Sequence, residues 1–170
     1  MAAVELFSVA ANAFSVVGLV DVLIRSSHTL TGLVSRAGLA GSLSSRLTAL
    51  SKDLILVVSE VQSFVEAYRT SGLIAADENG LPQGLDKVLS DCDKEVHKLI
   101  RYLSVVDASR TGGLVQRWTA NFGLALQEEE LRKSMQILEA YKTTILALLS
   151  IHNKYALFTT PSYYALSPSA

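Results

Sequence analysis

Two runs of apolar residues keep a helical heptad without interruption, and they limit the fold more than any other feature of the chain. Within each run, steps of three and four alternate, so one side of a helix is apolar throughout. Such a stripe must be buried against another helix. The first run is Leu43, Leu47, Leu50, Leu54, Val57, Val61, Phe64 and Tyr68, and the second is Leu85, Leu89, Cys92, Val96, Leu99, Leu103 and Val106. We therefore predict an all-α fold, a single bundle of four to five long antiparallel helices with an irregular C-terminal tail.

Composition narrows the classes of function. A chain of 170 residues is one domain by size. A hydrophobic fraction of 49% is high for a soluble monomer, so part of the apolar surface is expected to serve a partner or a membrane. A net charge of −1 gives no basic field, so no nucleic-acid partner is expected. One cysteine, Cys92, permits no internal disulfide and fits a reducing compartment.

Glycines, prolines and polar stretches divide the chain into helices. Gly38 and Gly41 flank the first break, a polar loop follows Ser71-Gly72, and Pro161 prevents a helix from continuing into the tail. We expect residues 1–152 to form the bundle and residues 153–170, rich in aromatic residues, serine and proline, to form a tail or linker. The predicted helices are residues 3–35, 43–70, 84–106 and 115–152, with a turn at 107–113.

The first helix differs from the others because apolar residues occupy more than one side. Between Val16 and Ile24 the only charge is Asp21, and Leu19 and Val22 lie on the side that is polar earlier in the helix. Such a helix is central to its bundle or faces something other than water. The inward stripe is predicted to be Leu6, Val9, Ala13, Val16, Val20, Leu23, Leu30 and Val34, and the polar stripe Glu5, Ser8, Asn12 and Ser15. The polar stripe and the absence of a basic leader argue against a cleaved signal and a simple transmembrane anchor.

No pattern of residues indicates catalysis. The chain has no phosphate-binding loop, and His28, His97 and His152 each lack a second metal ligand one helical turn away. Cys92 lies on an apolar stripe, which favours a small buried hydrophobe over a nucleophile. The carboxylates of the third helix occupy polar positions, and a tight bundle offers no cleft for acid–base work. We predict no enzyme, no catalytic residues, no metal and no cofactor.

Two further patterns have more than one interpretation. The three glutamates at 128–130, followed by Arg132-Lys133, form either an acidic docking patch or a solvated face with pairs four residues apart, and we favour the second. Ala11, Ser15 and Gly18 have the spacing of small residues at close helix contacts. Close packing inside the monomer explains this spacing equally well.

These features together resemble a known family over roughly residues 4–152. The carriers are the opening Val-Glu-Leu-Phe-Ser-Val-Ala-Ala-Asn-Ala-Phe-Ser-Val-Val-Gly-Leu-Val-Asp, the Leu-x-x-Leu-x-x-x-Leu run from Leu47 to Leu54, the Leu-Ser-Asp-Cys stretch ending at Cys92, and Trp118 followed by Leu131 to Leu149. In this combination the chain resembles the N-terminal helical effector domains of fungal NOD-like (STAND) proteins, the HeLo-like family. These are patterned positions more than invariant motifs.

The resemblance implies a function. It implies a cytoplasmic bundle of fungal innate-immunity or incompatibility type that moves to the plasma membrane after oligomerisation and executes programmed cell death. Its partners would be membrane lipids, further copies of itself, or both. The chain would be either a stand-alone form or one domain of a longer protein, in which a nucleotide-binding or amyloid-forming segment absent from this chain follows it. Carried onto this chain, the acting element is the first helix, and the residues expected to contact membrane or partner are Phe7, Phe14, Val17, Leu19 and Val22.

A second class of function stays open. A helical adapter or oligomerisation module without membrane activity would also use excess apolar surface. The low charge of the first helix favours the hypothesis of membrane activity. Before Arg25 the only charges of this helix are acidic, at Glu5 and Asp21. Anionic lipids would not attract such a helix, which favours the hypothesis of an adapter.

Overall fold

The chain folds into four helices within the residues that the computed structural model describes, and those residues contain no strand. The helices are α1 (Ala2–Ala37), α2 (Gly41–Thr70), α3 (Leu85–Thr111) and α4 (Leu114–Thr159). The backbone is described for residues 2–39, 41–70, 81–111 and 114–159, and the side chains for residues 15–39, 41–67, 70, 81–108 and 128–152. The prediction of an all-α helical bundle is confirmed.

Helix boundaries agree with the expected ones except at two ends. The turn predicted to start at Asp107 is wrong, because α3 continues to Thr111. No glycine or proline lies between Leu85 and Gly112, and Arg36 of α1 contacts the Asp107 carboxylate at 3.5 Å. The fourth helix also continues beyond residue 152, to Thr159, before Pro161. The predicted loop at 71–80 and the tail after Thr159 lie outside the described residues.

The break after α1 has a clear physical cause. Gly38 has a φ of 56°, in the left-handed region that favours glycine, directly after the last residue of α1. Helix α2 then begins at Gly41. Because so few residues connect two long helices that pack together, α1 and α2 run antiparallel. By the same argument α3 and α4 run antiparallel, because α3 ends at Thr111 and α4 begins at Leu114.

Polar contacts between helices fix how the two antiparallel pairs sit together. Ser26 of α1 contacts Asp93 of α3, and Arg36 contacts Asp107. Residue numbers increase in the same direction along both helices, so α1 and α3 run parallel. Likewise, Lys142 contacts Asp53, and further along Phe64 packs on His152, so α2 and α4 run parallel. Among the described residues the backbones of α1 and α4 do not approach, nor do those of α2 and α3. Helix α1 therefore lies beside α2 and α3, diagonally across from α4.

The core is formed by the predicted stripes. The third helix buries its whole heptad from Leu85 to Val106, and α2 buries its heptad from Leu43 to Val61, with Phe64 partly buried. Tyr68 lies outside the described side chains. Helices α1, α2 and α4 also bury residues beside their stripes. The additional buried residues are Leu33, Ala37, Val58, Val65, Met135 and Leu149.

Truncation of a buried heptad leucine should destabilise the bundle strongly. Leu54 and Leu99 are both 0% exposed. Replacing either with Ala removes buried methyl groups and leaves a cavity, so we expect a loss of about 2–5 kcal/mol in the free energy of unfolding. Chemical denaturation followed by circular dichroism measures it. The matched control is Leu56→Ala, at a leucine of α2 that is 69% exposed, which should change stability by about 0.5 kcal/mol or less.

Candidate functional site

The inward side of α1 forms the centre of the packing between α2 and α3. Every described member of its predicted inward stripe is buried, which confirms that part of the prediction. These members are Val16, Val20, Leu23, Leu30 and Val34. The earlier members, Leu6, Val9 and Ala13, lie outside the described side chains. The inward side of α1 is thus committed to the core and is not available to a partner while the bundle is intact.

The outward side of the same helix carries exposed apolar surface. Val22 is 44% exposed, and Gly18, one turn earlier, is exposed as well. The neighbouring charges neutralise each other, because Arg25 donates to the Asp21 carboxylate within the helix. We call Gly18 and Val22 the outer face of α1. This face presents no unbalanced charge and one large apolar side chain.

The residues expected to contact membrane or partner do not share one face. Val22 is exposed, but Val17 and Leu19 are half-buried and pack against the core. A charged residue at Leu19 would therefore disturb the bundle, in contrast to the expectation that this position lies on the less buried side. Phe7 and Phe14 lie outside the described side chains. Of the described candidates, only Val22 is positioned to meet a partner without rearrangement.

The outer face has a sequence signal that bulk alone does not reveal. Going back from Val22 in steps of four, four, three and four, the sequence reads Gly18, Phe14, Ala11 and Phe7. These steps are the helical repeat, so in sequence terms the set belongs to one register. Phe7, Phe14 and Val22 belong to this register together with the small residues Ala11 and Gly18, whereas Val17 and Leu19 do not. The helical repeat of the outward side therefore selects Val22 over Val17 and Leu19.

Packing within the described part of the monomer does not explain Gly18. A Cβ built on Gly18 would meet no atom within 4 Å, and Ser15 is exposed. A glycine inside a helix costs about 0.5–1 kcal/mol relative to Ala. The structure therefore provides no close contact within the described part of the chain that would require Gly18. Ala11, the other small residue of this pattern, lies outside the described side chains.

Hydroxyl groups join α1 to both of its neighbours near its middle. The Ser26 hydroxyl donates to the Asp93 carboxylate of α3 at 3.0 Å. On the other side, the hydroxyls of Thr31 and Ser51 of α2 lie 2.7 Å apart, and both lie within hydrogen-bond distance of the Ser27 carbonyl oxygen. Ser26, Ser27 and Ser51 are buried. Polar contacts thus cross from α1 to α2 and to α3 within about one and a half helical turns.

The titratable side chains that could do chemistry are dispersed. His28 is exposed on α1, His97 on α3 lies 3.2 Å from the Asp93 carboxylate, and His152 on α4 packs edge-on against Phe64 at a centroid distance of 5.1 Å. In the described parts of the chain, no three potential ligands come together as a metal site would require.

Two of the three glutamates at residues 128–130 of α4 form ion pairs. Glu128 pairs with Arg132 at 2.6 Å, as expected. Glu130 instead reaches across to Lys98 of α3 at 3.7 Å. The expected pair between Glu129 and Lys133 does not form within the described residues. Two of these three carboxylates therefore have cationic partners, which leaves a weak acidic patch.

Comparison with known proteins adds no assignment: no family model, no curated protein and no solved structure matches the chain. Within the described residues, none of the helices combines the length and the apolar character needed to traverse a bilayer. The features of this chain that bear on function are therefore the outer face of α1 and the hydroxyl contacts between helices.

The single thiol should be inert in the folded protein. Cys92 is 0% exposed, and burial, helped by the charges of Asp93 and Glu95, raises its pKa to about 12. We expect a maleimide or disulfide reagent at pH 8 to label the native chain far more slowly than the chain in denaturant, as mass spectrometry can measure. An unfolded thiol ionises at about pH 8.5. The contribution of Cys92 to stability is therefore complete below that pH and is lost as pH rises toward 12. Rapid native labelling at pH 8 would contradict this assignment.

Proposed function

We propose that the chain is a non-enzymatic effector or signalling bundle that acts on membranes after oligomerisation, through the apolar N-terminal part of α1. One observation carries the proposal. On a helix whose described inward residues are all buried in the core, Val22 is 44% exposed on the outward side, beside Gly18 and an Asp21–Arg25 ion pair within the helix. Other large apolar side chains are exposed too, such as Leu56 of α2 and Val105 of α3, so what favours Val22 is its setting: Gly18 lies one turn away, and the nearest charges are paired within the helix.

The mode of membrane contact follows from charge and length. The helix carries Glu5 and Asp21 before Arg25, so anionic lipids would not attract it. Association would depend on burying apolar side chains at the acyl boundary, with the helix axis in the plane of the membrane. Each large apolar side chain buried contributes about 1.5–3 kcal/mol. A single copy would therefore bind weakly.

Weak binding by one copy gives oligomerisation a physical role. Copies held together reach the membrane as one body, so their small binding energies combine through a high effective concentration. A bundle with this property is inactive when dispersed and active when clustered. The resemblance to HeLo-like effector domains suggests the rest of the pathway: a cytoplasmic protein, clustering by a segment absent from this chain, relocation to the plasma membrane, and cell death.

A specific observation favours an alternative. The open space over Gly18 would let the backbone of another helix approach closely, as small residues do at helix–helix contacts. In that case the same face would serve a protein-interaction module, an adapter or oligomerisation domain without membrane activity. Both functions use the outer face of α1, and they differ in whether lipid or protein covers it.

Liposome binding separates the two functions. We expect the purified chain, fused to a clustering tag, to sediment with phosphatidylcholine vesicles and to release an enclosed dye, and the untagged chain to do so far less. Val22→Glu should abolish both effects because it places a charge at the acyl boundary, while the melting temperature stays close to that of the unmodified chain. Uncharged lipid removes electrostatic repulsion as an explanation.

The matched control is Leu56→Glu, which introduces the same charge at an exposed apolar residue of α2. This variant should bind and permeabilise vesicles as the unmodified chain does. If the clustered chain ignores lipid, the membrane function is wrong, and the adapter function predicts instead that Val22→Glu weakens self-association or partner binding. Equal loss in both variants would show that α1 has no special role.

A further inference from the structure

We infer that α1 contains a built-in hinge at residues 26–31, which divides it into a releasable N-terminal segment and a latched C-terminal segment. We call residues 26–31 the hydroxyl hinge. This inference does not rest on the proposed membrane contact, because it concerns the opening of the bundle in water. It specifies which part of α1 can leave the core and where that motion stops.

The two parts of α1 are held to the bundle by different forces. All interhelical polar contacts that the structure gives for described α1 residues lie at Ser26 or later: Ser26 with Asp93, Thr31 and Ser27 with Ser51, and Arg36 with Asp107. Between Ser15 and Arg25, the described side chains reach other helices only through apolar contacts, and their one ion pair stays within α1. The anchorage therefore changes character at Ser26.

The difference matters because the two kinds of contact respond differently to exposure. Apolar burial is non-directional, so the segment around Val16, Val20 and Leu23 can exchange one apolar environment for another. A buried hydrogen bond is directional, and breaking it leaves a donor or acceptor unpaired until water arrives. Separation of α1 from α2 and α3 should therefore proceed from the N-terminal side and meet resistance at the hydroxyl hinge.

The backbone of the hinge is itself weakened. The Ser27 carbonyl, which in a regular helix accepts from the N–H of Thr31, is also approached by the hydroxyls of Thr31 at 3.0 Å and Ser51 at 2.8 Å. A carbonyl oxygen has two lone pairs, so these donors compete with the helical hydrogen bond. The Thr29 hydroxyl donates to the Arg25 carbonyl in the same way, and the Leu23 carbonyl, 3.1 Å from the Ser26 hydroxyl, competes with Asp93 for its one hydrogen. Insertion of side-chain hydrogen bonds into the helical ladder is a known cause of bending.

Local composition adds to this weakness. The sequence Ser-Ser-His-Thr-Leu-Thr-Gly over residues 26–32 contains one strong helix former, Leu30. Among the described residues, no partner accepts a hydrogen bond from the buried Ser27 hydroxyl or donates one to it, which lowers the stability of this part of α1. The helix at this point is thus maintained by its contacts with α2 and α3 more than by its own propensity. A weak backbone held by directional contacts is what a hinge requires.

Hydrogen–deuterium exchange of the full chain, without lipid, tests the hinge. We expect a step in protection at Ser26: the amides of residues 16–25 should share one fast opening rate, and those of residues 28–37 a common rate at least about tenfold slower. Ordinary fraying of a helix end would instead give a gradual increase along the helix. Exchange resolved to single residues by electron-transfer fragmentation distinguishes a step from a slope.

A hydroxyl deletion identifies the cause of the step. Ser51→Ala removes the α2 partner of Thr31 and of the Ser27 carbonyl, so exchange of residues 28–34 should accelerate about three- to tenfold, as expected for one lost hydrogen bond. The matched control is Ser63→Ala, which deletes an exposed α2 hydroxyl bonded only within its own helix, to the Ser59 carbonyl. This control should leave α1 unchanged. Ser26→Ala, which cuts the link to Asp93, gives a second variant if Ser51→Ala does not fold.

The outcomes are distinct. A step at Ser26 that weakens in Ser51→Ala or Ser26→Ala, but not in Ser63→Ala, supports the hinge whether or not the chain binds lipid. Uniform protection from residue 16 to residue 37, or a smooth gradient, would overturn it. So would a step that neither deletion alters, because the hydroxyl contacts would then have no part in it.

Discussion

The burial of α1 between α2 and α3 is the interaction on which the rest of the structure depends. The backbones of α2 and α3 do not approach each other within the described residues, and each of these helices lies directly beside α1 on one side and α4 on the other. Removing all of α1 would expose the apolar stripes of both helices, including Leu47 and Leu99. The energy of that exposure greatly exceeds typical domain stability. Any motion of α1 compatible with a folded protein must therefore be partial.

The sequence predicts the helices well because each apolar stripe is a local pattern. The heptads of α2 and α3 mark their own buried sides, and Gly38 marks the end of α1. The arrangement of the helices is not local. It depends on which stripes face which neighbours, and contacts such as Ser26 with Asp93 join residues far apart in the chain. The extension of α3 past Asp107 is compatible with the local sequence, which has no glycine or proline before Gly112, and only its contact with Arg36 of α1 is not visible there.

The candidate site was predictable only in part, and helical geometry explains why. Leu19 lies one heptad before Ser26, which contacts α3, and Val17 lies two heptads before Thr31, which contacts α2. Both residues therefore flank the buried side of α1 and pack partly against the core. Val22 lies on neither register. Selecting large apolar residues near the N-terminus identifies bulk, but it does not identify the side from which each neighbour approaches, and that side decides exposure.

The division of α1 into two kinds of contact would resolve a conflict between folding and the proposed function. A helix that is only a core element should be anchored along its whole length, and one that is only a membrane or partner element should not be in the core. Apolar contacts satisfy both demands, because protein interior, bilayer and a partner helix accept the same side chains. Hydrogen bonds do not, because each needs its particular partner. Confining them, among the described residues, to Ser26 and later would let the first part of α1 change surroundings, while the later part keeps α2 and α3 together.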